Sequence, residues 1–142
     1  MKTLIFLGEL FLIALVLNAA WEFWHVRFYT TGGTFQSQFS YPWFLIIATL
    51  WDACYVVMVY LLLAFVKHDL FWVRTMDAKD VLIVAAVGCL TAIYVERRSL
   101  SIGKWAYNAT MPIVPYLGVG LTPFLQLAIL SPLTFWIVEK LL

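Results

Sequence analysis

The chain is poor in charge: 12% of its 142 residues are charged, against roughly 25% in an ordinary soluble domain. So few charges exclude a normal water-facing surface, and the 64% hydrophobic content indicates an integral membrane protein. A net charge of +1 leaves no excess of basic residues that would favour binding to nucleic acid. The length predicts one domain, residues 1–142.

The chain also lacks the short motifs that mark several enzyme classes. It has no serine-centred nucleophile elbow, no phosphate-cradling glycine loop and no metal motif such as H-E-x-x-H. His25 and His68 are the two histidines, and their expected places on opposite sides of a membrane make a poor haem pair. Cys54 and Cys89 lie in apolar runs, which favours small buried hydrophobes over a disulfide. No metal or cofactor is predicted.

Four apolar runs approach or reach the roughly 20 residues that cross a bilayer. Lys2 before an apolar run is typical of a signal peptide, but Glu9 interrupts that run, so we expect a retained first helix. The fold class is therefore all-α, a polytopic bundle of four transmembrane helices. The predicted helices cover residues 3–24, 42–66, 78–96 and 123–141.

Capping residues in the sequence mark the starts of the last two helices. The apolar part of the third, Val81 to Tyr94, is short, and Asp77 with Asp80 resembles a capping box in front of it. Thr122 is typical of an N-cap before Pro123, so the fourth helix is predicted to begin at Pro123, with a kink at Pro132.

The connecting segments on one side of the bundle predict a small cap. Arg27–Tyr41 and Arg98–Tyr107 alternate apolar and polar residues, so both are candidate strands that could pair. Met111–Leu121 is rich in proline and glycine and is predicted to be irregular, lying at the membrane interface or dipping into it. The side with both termini carries five Lys and Arg residues against four, which weakly favours cytoplasmic termini.

Acidic residues in or beside the apolar runs are the strongest functional signal. Each costs about 2.5–3.5 kcal/mol at the centre of a membrane helix, so such groups usually face the protein interior. Glu9 is assigned no role, but Asn18, Glu22 and His25 are spaced i, i+4, i+7 and form one stripe. Topology predicts that the following residues lie in one half of the membrane or just above it: Asn18, Glu22, His25, Arg27, Asp52, Glu96, Arg97, Arg98, Lys104, Trp105, Tyr107 and Gln126.

Three interpretations of this convergence stay open. Glu22 or Asp52 could pair with Arg97 or Arg98, bridged by His25, in a buried network that only holds the helices in register. They could build a ligand, substrate or proton site, or they could be charges in water at the interface. Nearby tryptophans, including Trp21 and Trp51, suit either an interfacial belt or the walls of a pocket that stabilises a cation.

The segments Asn18–His25 and Gly103–Tyr107, followed by Met111-Pro112, resemble small bacterial inner-membrane proteins of uncharacterised function. This resemblance implies a bacterial inner-membrane location. The Asn-x-x-Trp-Glu pattern of 18–22 is also similar to a motif of the meroterpenoid cyclases, and the frame of 103–107 and 118–123 is similar to the membrane isoprenoid cyclases of the lycopene-cyclase type. Such cyclases have paired glutamates after the proline, where this chain has Leu125 and Gln126. The resemblance implies action on an isoprenoid-like molecule, with other acids as proton donors.

The sequence therefore supports three hypotheses for function. The first is a lipid-phase site for a lipid-soluble, isoprenoid-like molecule, and the sequence does not decide whether catalysis occurs there. The others are a non-catalytic accessory subunit of a membrane complex and a small proton or ion transporter. The expected partners are membrane lipids and either another membrane protein or further copies of the chain. Candidate catalytic residues are Glu22, His25, Asp52 and Glu96, and candidate substrate-binding residues are Asn18, Trp21, Trp51, Arg97, Arg98, Trp105, Tyr107 and Gln126.

Overall fold

The computed structural model describes residues 2–30 and 41–142. In this part of the chain the regular structure is helical, and β-structure is limited to isolated bridges. Four helices are long and apolar enough to span a membrane, which confirms the predicted fold class. They are α1 (Lys2–His25), α2 (Tyr41–Lys67), α3 (Ala78–Ser101) and α4 (Leu121–Glu139). Single 3-10 turns at Val26–Phe28 and Trp72–Thr75 extend the connections.

The helices pack side by side as an open arc. In the described residues, α1 packs along α2 and α4, and α4 packs along α3, whereas α2 and α3 hardly touch. The approach of α3 to α4 is closest at Gly88, because a Cβ there would lie 2.7 Å from the backbone nitrogen of Ala128. Small residues permit such close helix pairs in membranes. The arc therefore has a gap between α2 and α3.

An apolar core fills the half of the bundle that holds both termini. Trp72 is fully buried there, with its ring 5.4 Å from Tyr60 and 5.6 Å from Phe135 between centroids. The Trp72 Nε1–H donates to the Tyr60 carbonyl at 3.3 Å, so the indole is both packed and hydrogen-bonded. The core consists of Phe6, Leu10, Ala14, Ala53, Val56, Val59, Tyr60, Ala64, Trp72, Val73, Val84, Phe135 and Val138.

The start of α3 confirms its predicted cap. The Asp77 side chain accepts from the backbone N–H groups of Lys79 and Asp80, and the Asp80 side chain accepts from the Asp77 backbone N–H. These bonds hold the pKa of the Asp77 carboxyl below its usual range, since they stabilise its charged form. Lys67 at the end of α2 forms a 2.7 Å ion pair with the buried Asp80, which ties the two helix ends together.

The predicted ends of two helices are wrong. The third helix does not stop at residue 96 but continues through Arg98 to Ser101, because nothing before Gly103 breaks it. The fourth begins at Leu121 with Gly120 as its N-cap, so Thr122 is not the cap. The Thr122 hydroxyl instead contacts the His25 ring, in the site described below.

The predicted pair of cap strands is also wrong in the described residues, since residues 98–101 belong to α3. The two connecting segments nevertheless meet in an isolated antiparallel bridge between Tyr29 and Tyr107. The Thr30 N–H donates to the Ala106 carbonyl at 2.8 Å, and Asn108 N–H donates to the Phe28 carbonyl at 2.9 Å. Residues 31–40 of the first candidate strand lie outside the described residues. Residues 111–120 are irregular, as predicted, with a second bridge from Ile113 to Gly120.

Candidate functional site

The polar stripe of α1 faces into the bundle. Asn18, Glu22 and His25 are all buried, and His25 Nε2 lies 3.1 Å from Glu22 Oε2. The Asn18 amide group donates to the Ala14 carbonyl at 2.9 Å, which leaves its own side-chain oxygen available to α4. The helical spacing that predicted one face therefore produces one continuous polar surface on the inner side of α1.

Gln126 of α4 joins three acceptors from two other helices. Its Nε2 atom lies 2.7 Å from Asp52 Oδ2, 2.9 Å from Glu22 Oε1 and 3.2 Å from Asn18 Oδ1. Gln126 is itself buried, so its amide replaces water as the solvent of these oxygens. The predicted convergence of these four residues at one depth is present in the structure.

The Glu22 and Asp52 carboxyl groups are brought together by Gln126, whose one amide nitrogen lies within 2.9 Å of an oxygen from each. Two carboxylates that share one nitrogen in a buried site repel each other, which favours a proton on one of them. Glu22 is buried, and Asp52 faces the cavity described below. The pair is therefore an acid with a proton to share, held in place by an amide and an imidazole.

His25 connects this pair to α4. Its Nδ1 atom lies 3.2 Å from the Thr122 hydroxyl, which is 3.5 Å from the sulfur of Met111. The nitrogen is the stronger acceptor of the two, so the hydrogen-bond network assigns the hydroxyl proton to it. The His25 Nε2–H then donates to the Glu22 carboxylate.

Glu96, near the end of α3, is surrounded by aromatic donors. Its Oε2 atom accepts from the Tyr29 hydroxyl at 3.3 Å, from the Trp105 indole at 3.2 Å and from the Tyr107 hydroxyl. The Tyr107 oxygen in turn accepts the Gly120 backbone N–H at 2.9 Å. Burial and the Glu96 charge raise the pKa of both phenols, which stay protonated as donors.

A cavity of about 500 Å³ lies in the gap between α2 and α3, with the acids on its walls. Its lining includes Trp51 and Val95, which are 73% and 40% exposed, so the mouth lies on the lipid-facing side of the bundle. A 3.2 Å hydrogen bond from Tyr55 to Thr91 crosses the gap. The lining residues are Glu22, His25, Val26, Tyr29, Phe44, Ile47, Ala48, Trp51, Asp52, Tyr55, Thr91, Ala92, Val95, Glu96, Lys104, Trp105, Pro123, Gln126 and Leu127.

The two predicted arginines do not join the acids. Arg97 and Arg98 are exposed, and neither forms an ion pair with another described residue. They follow Glu96 directly, but successive helical residues are about 100° apart, so their side chains point elsewhere. Trp21 also lies outside the cavity lining, and its buried indole N–H has no hydrogen-bond partner among the described residues.

Sequence reasoning missed several contributors to the site. Tyr29 follows His25 by four residues, and their rings meet edge to face at 5.4 Å, but a 3-10 turn after α1 hid that relationship. Thr122 was assigned to a cap, and Tyr55 carried no signal apart from its place one turn beyond Asp52. Lys104 was expected only in the loop above the acids, but it also lines the cavity.

The arrangement is suited to moving protons beside an apolar ligand. In residues 2–30 and 41–142, no three His, Cys, Asp or Glu side chains are grouped as ligands for a metal ion. Comparison with protein-family models, with curated proteins and with solved structures gave no match.

Proposed function

We propose that this protein binds a lipid-soluble, isoprenoid-like molecule in the cavity between α2 and α3 and transfers a proton to it. The observation that carries the proposal is the Glu22 and Asp52 pair, which faces a cavity and is held by Gln126 and His25. A pair neutralised by lysine or arginine would favour a purely structural network. An acid that contacts another acid beside open space favours a site.

The cavity walls suit an apolar ligand. Phe44, Ile47 and Leu127 provide apolar surface, and Trp51 and Tyr55 provide aromatic faces. The mouth between α2 and α3 lets a ligand enter from the bilayer without passing through water. A positive charge that develops on the ligand after protonation would be stabilised by aromatic rings.

A proton-transfer role also accounts for His25. General acid catalysis needs a donor within hydrogen-bonding distance of the ligand and a partner that holds the donor in position. Asp52 and Glu22 line the cavity, while Gln126 and His25 each hold one oxygen of the Glu22 carboxyl group. The cluster thus combines a transferable proton with hydrogen bonds that hold its donor in position.

The transporter hypothesis is less well supported by the packing. An ion path through one chain would have to pass the half of the bundle where Trp72, Tyr60 and Phe135 are in close contact. That half holds the apolar core, so we place the cluster's chemistry on one side of the membrane only.

Native mass spectrometry of the protein, extracted gently from its own membrane, tests the proposal. We expect a stoichiometric small-molecule adduct in the wild type, and its loss in Glu22→Gln and Asp52→Asn. Glu9→Gln is the matched control, since it is an equal change in the same helix outside the cavity lining. Circular dichroism of each variant confirms that the helices are intact.

Two outcomes would contradict the proposal. An adduct kept in both Glu22→Gln and Asp52→Asn would show that the acids do not form the binding site. A stoichiometric protein partner without a small ligand would identify an accessory subunit, in which the acid cluster serves only structure.

A further inference from the structure

We infer that the two acidic walls of the cavity hold opposite protonation states: Asp52 carries a proton, and Glu96 is an ionised carboxylate. The inference rests on the proposed function and deepens it, because it assigns a proton donor and a proton acceptor. It follows from a count of the hydrogen atoms available to each carboxyl group.

The wall formed by α1, α2 and α4 is short of hydrogens. The Gln126 amide has two, but three oxygen atoms lie within 3.2 Å of its nitrogen. The two shortest contacts, to Asp52 and Glu22, take those hydrogens. The two carboxyl groups thus share one nitrogen, and because two carboxylates so close together repel each other, one of the acids holds a proton.

The proton of that pair belongs to Asp52. Glu22 accepts from Gln126 at Oε1 and from His25 Nε2–H at Oε2, so both of its oxygens are stabilised as a carboxylate. Among these contacts, Asp52 receives one donor, at 2.7 Å from Gln126. Asp52 has the fewer donors, so it is the member of the pair that holds a transferable proton.

The opposite wall, at the end of α3, has an excess of hydrogens. One Glu96 oxygen accepts from two phenols and an indole, all three of which are donors in their neutral forms. Such bonds stabilise the carboxylate far more than the neutral acid. The Tyr107 oxygen uses its own acceptor capacity for Gly120 N–H, which fixes its proton towards Glu96.

With the ligand of the proposed function, a proton donor on one wall and an acceptor on the other can carry out the following reaction. The Asp52 O–H bond breaks and its proton forms a C–H bond at one carbon of a ligand double bond, using the π electrons. The adjacent carbon becomes cationic. Glu96 then removes a proton from a neighbouring C–H, and that electron pair forms a new double bond. The ligand's composition is unchanged, so the reaction is an isomerisation, or a cyclisation where a second double bond attacks the cation first. Water then returns a proton to Asp52 and takes one from Glu96, so no redox partner is consumed.

Infrared spectroscopy of the purified protein at pH 8, with no ligand added, tests this assignment. Protonated carboxylic acids have a C=O stretching band that shifts in D₂O. The variants are made in a Glu9→Gln background, so that Glu9 contributes nothing to the band. We expect the band to disappear in Asp52→Asn and to keep its full intensity in Glu96→Gln. A band that survives Asp52→Asn, or one that is lost in Glu96→Gln, overturns the assignment.

A second measurement needs no change in the cavity. Protein with unaltered Asp52 and Glu96 is grown with ¹³C-carboxyl aspartate, which shifts the band only where an aspartate carries the proton. An unshifted band overturns the assignment, whether or not the variants fold. The infrared result is independent of the mass-spectrometric one. If the protein binds a small molecule but the proton is not on Asp52, the cavity is a binding site without this chemistry.

Discussion

Replacing Gly88 with alanine should push α3 away from α4 and loosen the site. The new Cβ would lie 2.7 Å from both the Ala128 nitrogen and the Leu127 carbonyl carbon, whereas ordinary contacts begin at 3.4 Å. The backbone of a packed helix does not move aside as a flexible side chain does, so the two helices must separate locally by about 0.7 Å. Overpacking of this kind costs about 1–3 kcal/mol of unfolding free energy.

Gly8→Ala provides the matched control. A Cβ at Gly8 meets nothing within 4 Å, so the same chemical change has no steric cost there. Alanine is the better helix former by about 0.5–1 kcal/mol, and the control is expected to be neutral or slightly stabilised. The unfolding free energies of both variants are measured by SDS titration in mixed micelles, with tryptophan fluorescence as the readout. Equal stability of the two variants would refute the close backbone approach that joins α3 to α4.

Two further predictions concern the tyrosines. Tyr107→Phe leaves the buried Gly120 N–H without its acceptor and should cost about 1–3 kcal/mol in the same titration, whereas Tyr116→Phe, on a fully exposed ring, should cost nothing. Because burial and Glu96 raise the folded-state pKa of Tyr29 and Tyr107, their contribution to stability is complete below pH 10 and is lost as the pH rises further, when the unfolded chain ionises. Ultraviolet titration checks this: a full complement of phenolates near pH 10 in the folded protein would contradict the buried donors.

The sequence alone was sufficient to predict the four transmembrane spans and the depth of the acidic residues within them. Hydropathy located four helices, and the helical spacing of Asn18, Glu22 and His25 correctly placed them on one face. Topology alone brought Asp52 and Gln126 to the same half of the bundle. These inferences succeed because an unpaired polar group in hydrocarbon costs so much free energy that polar side chains of neighbouring helices must meet inside the bundle.

The partners of each acid could not be predicted in the same way. Arg97 and Arg98 were candidate counter-ions for Glu22 or Asp52, but the rotation along α3 leaves both arginines exposed. Glu96 is stabilised instead by Tyr29, Trp105 and Tyr107, which come from two loops whose meeting is a tertiary event. Hydropathy also ended the third helix too early, since polar residues up to Ser101 can continue a helix beyond the apolar run.

The apolar core around Trp72 has an electrical consequence. A potential of 100 mV is worth about 2.3 kcal/mol for each elementary charge that crosses it. Dry, tightly packed hydrocarbon sustains most of such a potential, so the voltage falls mainly across the core side of the bundle. The acids on the other side then stay close to the potential of a single aqueous phase. A membrane can thus hold titratable carboxyl groups within its thickness and remain energised, because the packed core of the described bundle separates them from the opposite side.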